Sequence, residues 1–122
     1  MSDVVETVAQ YIAAWNETDP AARRAAVERV FAPDAVYTDP IAGAAGHEQI
    51  SSLIEAVQNQ FPGLVFTLGS EPDAHHDIAR FTWNLGPAGE SPLIVGFDVV
   101  VLTPEGGIGR VHGFLDKVPA GA

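Results

Sequence analysis

The chain predicts an α+β fold, a cone-shaped, curved antiparallel sheet packed against three N-terminal helices. Apolar residues recur at helical spacing through the first half, and after Pro62-Gly63 the pattern changes to strand-length apolar runs punctuated by Pro and Gly. Length is the third observation: 122 residues suffice for one domain, spanning 1–122, with a sizeable core.

Residues 3–16 place Val4, Val5, Val8, Tyr11, Ile12 and Trp15 on one helical stripe. Asp19 as N-cap and Pro20 at the first helical position start a second helix. It is expected to run to about Phe31 and to bury Ala22, Ala26, Val27, Val30 and Phe31. Ala32-Pro33-Asp34 breaks it, and Ala35 to Asp39 forms a short strand stopped by Pro40. Gly43 and Gly46 loosen the next loop, and His47 to about Gln60 is a third helix with Ile50, Leu53, Ile54 and Val57 inward. Strands follow at Leu64–Leu68, Ile78–Leu85, Leu93–Leu102 and Ile108–Lys117. A sheet bent around helices leaves a concave, mostly apolar mouth, where small ligands bind.

The most informative single residue is Asp98, in the middle of Leu93-Ile-Val-Gly-Phe-Asp-Val-Val-Val-Leu102. Apolar side chains at both parities mean that both faces of this strand are covered, so Asp98 points into protein or into a cavity. Burying an unpaired carboxylate raises its pKa and favours the neutral form, a hydrogen-bond donor in an apolar wall. Perturbed carboxyls concentrate where chemistry happens. The plainer alternative is an ion pair with Arg80 or Arg110. Alternation puts Gly96, Val100 and Leu102 on the face of Asp98. The tight connection at 104–107 pairs roughly Thr103 with Ile108, which sets Asp98 opposite about Gly113, with Val111 and Leu115 on the same face. In the preceding strand Phe81, Trp83 and Leu85 face inward. Asp39 closes the short strand with Ala35 and Tyr37 at its parity, and the Tyr11 hydroxyl, on an apolar stripe, needs a buried partner.

Charge and composition exclude other classes. The formal net charge is −10 with six Lys and Arg, so no basic patch for nucleic acid or an anionic membrane can be assembled. There is no cysteine, which excludes disulfides and thiolate chemistry. The N-terminus carries early acids and no basic region, and no apolar run approaches the roughly 20 residues of a membrane span. A cytoplasmic location is the expectation. His75-His76-Asp77 is the best metal candidate, but adjacent histidines on an extended segment point to opposite faces, so no metal site is expected. His47 reads as a solvent-exposed residue in a first helical turn. Gly106-Gly107 is hairpin chemistry.

Gln10-Tyr-Ile-Ala-Ala-Trp-Asn16, Phe31-Ala-Pro-Asp-Ala-Val-Tyr-Thr-Asp-Pro40, Gly96-Phe-Asp98 and Arg110-Val-His-Gly-Phe-Leu-Asp116 resemble the NTF2-like cone fold, and within it the SnoaL-like and ketosteroid-isomerase-like branch. The resemblance covers nearly the whole chain. It implies that the family's oxyanion-binding tyrosine falls on Tyr11, its general base on Asp39 and its protonated aspartate on Asp98. Pocket-lining positions fall on Leu53, Phe81, Trp83, Val111, Gly113 and Leu115, joined by Trp15, Val57 and Val100. The implied activity is a cofactor-independent shift of a proton α to a ketone or enone carbonyl in a small apolar ligand. A polyketide cyclase of the SnoaL type and a non-catalytic ligand-binding protein are the alternatives. An epoxide hydrolase ranks lower because Arg80 sits at the wrong parity. The apolar outer face (Phe97, Val99, Val101, Phe114) suggests a homodimer through the sheet.

Overall fold

The structure, a computed structural model, describes residues 2–119. Three helices, α1 (Ser2–Asn16), α2 (Pro20–Val30) and α3 (Gly46–Gln60), pack against seven strands. These are β1 (Phe31–Thr38), β2 (Gly43–Ala45), β3 (Val65–Leu68), β4 (Asp73–His75), β5 (Ile78–Gly86), β6 (Ile94–Leu102) and β7 (Ile108–Lys117). The sheet is curved and unclosed, in the order β2-β1-β7-β6-β5-β3, with β4 also on β5.

The sheet is mixed. β1 runs parallel to β7, where the sequence suggested antiparallel pairing throughout. Consecutive strands β5, β6 and β7 are joined by short hairpins and must alternate, whereas β1 reaches β7 only after α3 and five other strands, so hairpin logic does not govern it. β1 also starts at Phe31, directly after α2, so Phe31 is buried from a strand and not from the helix. β2 and β4, three residues each, carry no periodic signal and read as loops. Ala22 is exposed; Arg23 takes the inward position on α2 at 4% exposure. His47 is half-buried, its Nε2 2.8 Å from the Phe31 carbonyl oxygen, and not a free surface residue.

Local chemistry fixes α1 on the sheet. Asn16 at its end docks on the edge strand β3, donating to the Phe66 carbonyl and accepting from the Phe66 N–H, both at 2.8 Å. One amide side chain thus mimics a strand neighbour and closes part of an open edge. Asp19 accepts from the Ala22 N–H and caps α2, with Pro20 behind it. The core lies between the helices and the inner sheet face, with Val8, Ile50, Ile54, Val100, Ile108 and Val111 fully buried.

The β6–β7 register is the feature that positions the site. Asp98 pairs with Gly113, as the hairpin count required. At the open end Leu102, not Thr103, meets Ile108, and Gly109 is the extra residue between Ile108 and the Val101–Arg110 pair. Parallel pairing of β1 with β7 matches Tyr37 to Val111 and Thr38 to His112. The next residue of β1's path, Asp39, therefore arrives beside Gly113 from the side opposite Asp98.

Candidate active site

A cavity of about 370 Å³ opens between α1, α3 and the concave sheet face. Tyr11, Asp39 and Asp98 all border it, brought there by α1, the end of β1 and β6. Its walls are mostly apolar, with Ile12, Leu53, Val57, Phe66, Trp83 and Leu115 among them.

At the floor, the Tyr11 hydroxyl donates to Asp98 Oδ2 at 2.8 Å. Asp98 is 2% exposed and Tyr11 2%. Arg80, the ion-pair alternative, is bound to Asp73 on the surface, and Arg110 is exposed. Burial pushes the Asp98 carboxyl up to about 6, and the charge of Asp39 adds to the rise; the Tyr11 hydroxyl and the Trp83 indole, near Asp98 but outside hydrogen-bond geometry, pull the other way. Tyr11 is held well above its ordinary value by burial and then by the nearby Asp98 charge. Two buried side-chain polar atoms among the described residues lack a partner, Asp98 Oδ1 and Trp15 Nε1. Both belong to this floor. Trp15 lies one turn beyond Tyr11 on α1, ring centroids 6.4 Å apart.

At the rim, Asp39 Oδ2 accepts from the Tyr37 hydroxyl at 2.7 Å, and Oδ1 accepts from the backbone N–H groups of Ile41 and Ala42, both at 2.8 Å. All three are bonds accepted, the pattern of a carboxylate held in an Asx-type turn. Tyr37 is raised by burial, by the Asp98 charge and by its bond to Asp39. Tyr37 shares the parity of Asp39, and that was the signal for it in the sequence.

Gly113 joins rim to floor. A Cβ there would lie 2.9 Å from Asp98 Oδ1 and 3.2 Å from Asp39 Cβ. The missing side chain lets two carboxyl-bearing residues approach one point of the sheet. Trp83 similarly lies over Gly96, its cross-strand partner, where any Cβ would meet the indole.

The structure divides the other expected lining residues by depth. Trp15, Leu53, Val57, Trp83 and Leu115 border the cavity. Phe81, Val100 and Val111 are on the same face but lie fully buried beneath the floor and do not reach the opening. Parity identifies a face; it does not say how deep along the cone a residue sits. No cluster of three or more His, Asp or Glu side chains able to hold a metal occurs among the described residues, and no helix among them is long and apolar enough to cross a membrane.

Residues 8–111 match the SnoaL-like domain family. The chain belongs to that family. A candidate isomerase of the SnoaL-like family from Agrobacterium tumefaciens is 39% identical in sequence over 95% of this chain and 99% of that one, with a TM-score of 0.90. A candidate SnoaL-like polyketide cyclase from Jannaschia sp. is 18% identical over 94% of this chain and 86% of that one, TM-score 0.76. A candidate polyketide cyclase from Sinorhizobium meliloti is 24% identical over 88% and 93%, TM-score 0.69. The last two speak for the fold alone, since SnoaL-like cones host several chemistries. No curated protein matches the chain.

Proposed function

We propose that the cavity is the active site of a cofactor-independent isomerase that moves a proton α to a ketone or enone carbonyl in a small apolar substrate. The observation that carries this reading is the pair of carboxyl groups on either side of Gly113, one accepting three hydrogen bonds and one buried against a tyrosine. A cavity of about 370 Å³ sits at the low end of ligand pockets, which favours compact ring ketones over extended substrates.

Asp39 at the rim takes the α proton and returns it at the conjugated position. The enolate oxygen that develops is received at the floor. With Asp98 ionised, the Tyr11 hydrogen is committed to Oδ2 and the Tyr11–Asp98 pair has none to offer a ligand. Neutral Asp98 changes the count: the Tyr11–Asp98 pair then holds two hydrogens, one for its own bond and one for the substrate oxygen. Negative charge building beside Asp98 itself favours that neutral form. A donor aimed at developing charge in a dry site is worth roughly 3–4 kcal/mol of barrier. A carbonyl or enol oxygen arriving here also meets the two orphaned atoms, Trp15 Nε1 and Asp98 Oδ1.

The test is the appearance of conjugated-enone absorbance across a panel of β,γ-unsaturated cyclic ketones. Turnover that disappears in Asp39→Asn supports the reading. Wild-type rates in that variant would overturn it. A ligand that binds without turnover would indicate a binding protein, and ring closure of a polyketone instead of double-bond migration would indicate a cyclase.

The working unit in this reading is a homodimer joined through the outer sheet face. Phe114 is 55% exposed and pairs edge-on with Phe97 across the β6–β7 ladder, an apolar patch that association would cover. Elution as a monomer at micromolar concentration in size-exclusion chromatography would refute this part.

A further inference from the structure

A second cavity, of about 320 Å³, lies behind the first, bordered by the α1–α2 corner, the end of α3 and the following loop. Trp15, Val57, Phe61, Phe66 and Leu85 line both cavities and form the wall between them. The second cavity differs in containing a cation. Arg23, 4% exposed, is a buried charge in a chain dominated by acids.

Its guanidinium is held on one side only. Nε donates to the Glu17 carbonyl at 3.2 Å, and Nη2 donates to the Thr18 carbonyl at 3.2 Å and to Gln58 Oε1 at 3.0 Å. Gln58 is fixed in turn, its Nε2 donating to the carbonyls of Trp15 and Glu17. These acceptors are neutral. The ion pairs among the described residues, Arg24–Glu28 and Arg80–Asp73, lie on the surface and do not involve Arg23.

Nη1 is left over. It bonds to none of the described residues, and it is not among the fully buried unpartnered atoms, so it has accessible surface. Arg23 lines the second cavity. Capping of the α1 C-terminus explains the Nε and Nη2 bonds. It does not explain why the third guanidinium nitrogen is left open beside a cavity of mixed polar and apolar lining. Buried charges are usually paired, and an immobilised guanidinium meets a carboxylate without losing side-chain freedom.

We infer that this second cavity is a binding site for a small organic carboxylate, its charge on Arg23 Nη1 and its apolar body against Leu64, Phe61 and Phe66. Asn59 and Thr18 on the same lining supply further polar contacts. Glu55 is the carboxylate that borders the cavity, and it opposes the ligand. Arg23 and Glu55 should therefore act with opposite sign.

The experiment is an NMR titration of the whole ¹⁵N-labelled protein with benzoate, using benzyl alcohol as the neutral counterpart. Benzoate is expected to saturate and to shift the amides of Asn16, Thr18 and Gly63, which border only this cavity. Benzyl alcohol should bind about tenfold more weakly or worse, the loss of one charge-assisted bond. Arg23→Gln should weaken benzoate by a similar factor, and Glu55→Gln, an exposed and harmless change, should tighten it. Should Arg23→Gln fail to fold, the Glu55→Gln arm and the benzoate-to-alcohol ratio decide by themselves. Equal affinity for the two probes, shifts centred on Ile41 and Ala42 of the first cavity, or benzoate binding insensitive to Glu55→Gln would each overturn the assignment.

Discussion

The rim and the floor of the main cavity each carry one aspartate, and the two could hardly be housed more differently. Asp39 is half-exposed and accepts three hydrogen bonds, two of them from its own turn. Asp98 is 2% exposed, accepts one bond from Tyr11, and leaves its other oxygen without a partner. Both abut the same glycine. In the proposed reaction one functional group takes two roles from its surroundings: Asp39, held by three donors, takes a proton, and Asp98, deprived of water, holds one. Two carboxyls in unlike environments are how one site runs base and acid chemistry together.

In the proposed reaction, removing Asp39 as base at the rim should have the largest effect. Asp39→Asn keeps the shape and the Asx-type turn but cannot accept the α proton, so kcat should fall by about 10²–10⁴-fold. Affinity for a saturated, unreactive ketone, followed by tryptophan fluorescence from Trp15 and Trp83 at the wall, should stay unchanged. A matching loss of affinity would mean that Asp39 binds and does not react.

The next prediction attacks the contact between the two regions. Gly113→Ala introduces a methyl 2.9 Å from Asp98 Oδ1, closer than real carbon–oxygen contacts allow, and 3.2 Å from Asp39 Cβ. One or both carboxyls must move. Displacement of reacting groups on the scale of an ångström costs about 10²-fold in rate, and overpacking a tight site costs about 1–3 kcal/mol of stability. Thermal unfolding and steady-state kinetics on one preparation separate the two. A variant with normal kinetics would show that rim and floor do not depend on their spacing.

How much of this was legible in the sequence follows from the range of each interaction. Asp98 was visible because strand alternation is strictly local, and Gly113 opposite it because a short hairpin transmits register. Tyr11 and Trp15 were visible as one helical stripe. The parallel β1–β7 pairing was not, since it joins segments separated by most of the chain, yet it is what carries Asp39 to Gly113. Depth was hidden as well: Phe81 and Val111 share the inner face with Trp83 and Leu115 but fill the core below the opening. Arg23 escaped because an arginine in a polar helix reads as solvated, and its burial depends on carbonyls presented by the end of a different helix.

The mildest prediction concerns pH and bears on the floor alone. Asp98 sits at about 6 in the folded protein against 3.8 for the free side chain. The groups facing it are Tyr11 from α1, Trp83 from β5, Asp39 beyond β1 and, through charge, Tyr37. Because the folded value is raised, the native state binds more protons than the unfolded chain between these values. The contribution of Asp98 to stability is therefore greatest below about 4, falls as pH rises through about 6, and levels off above, by about 3 kcal/mol in total. Asp98→Asn removes the titration, so its stability relative to wild type should climb over the same window; urea melts at pH 4, 6 and 8 measure it. Activity should follow the same proton. If neutral Asp98 is what frees a hydrogen for the substrate oxygen, kcat/KM, which reports the free enzyme, should fall about tenfold from pH 5 to pH 7. A stability trend without the matching rate trend would leave Asp98 as a buried acid that the protein tolerates, and would transfer the donor role to Tyr11 and Trp15 alone.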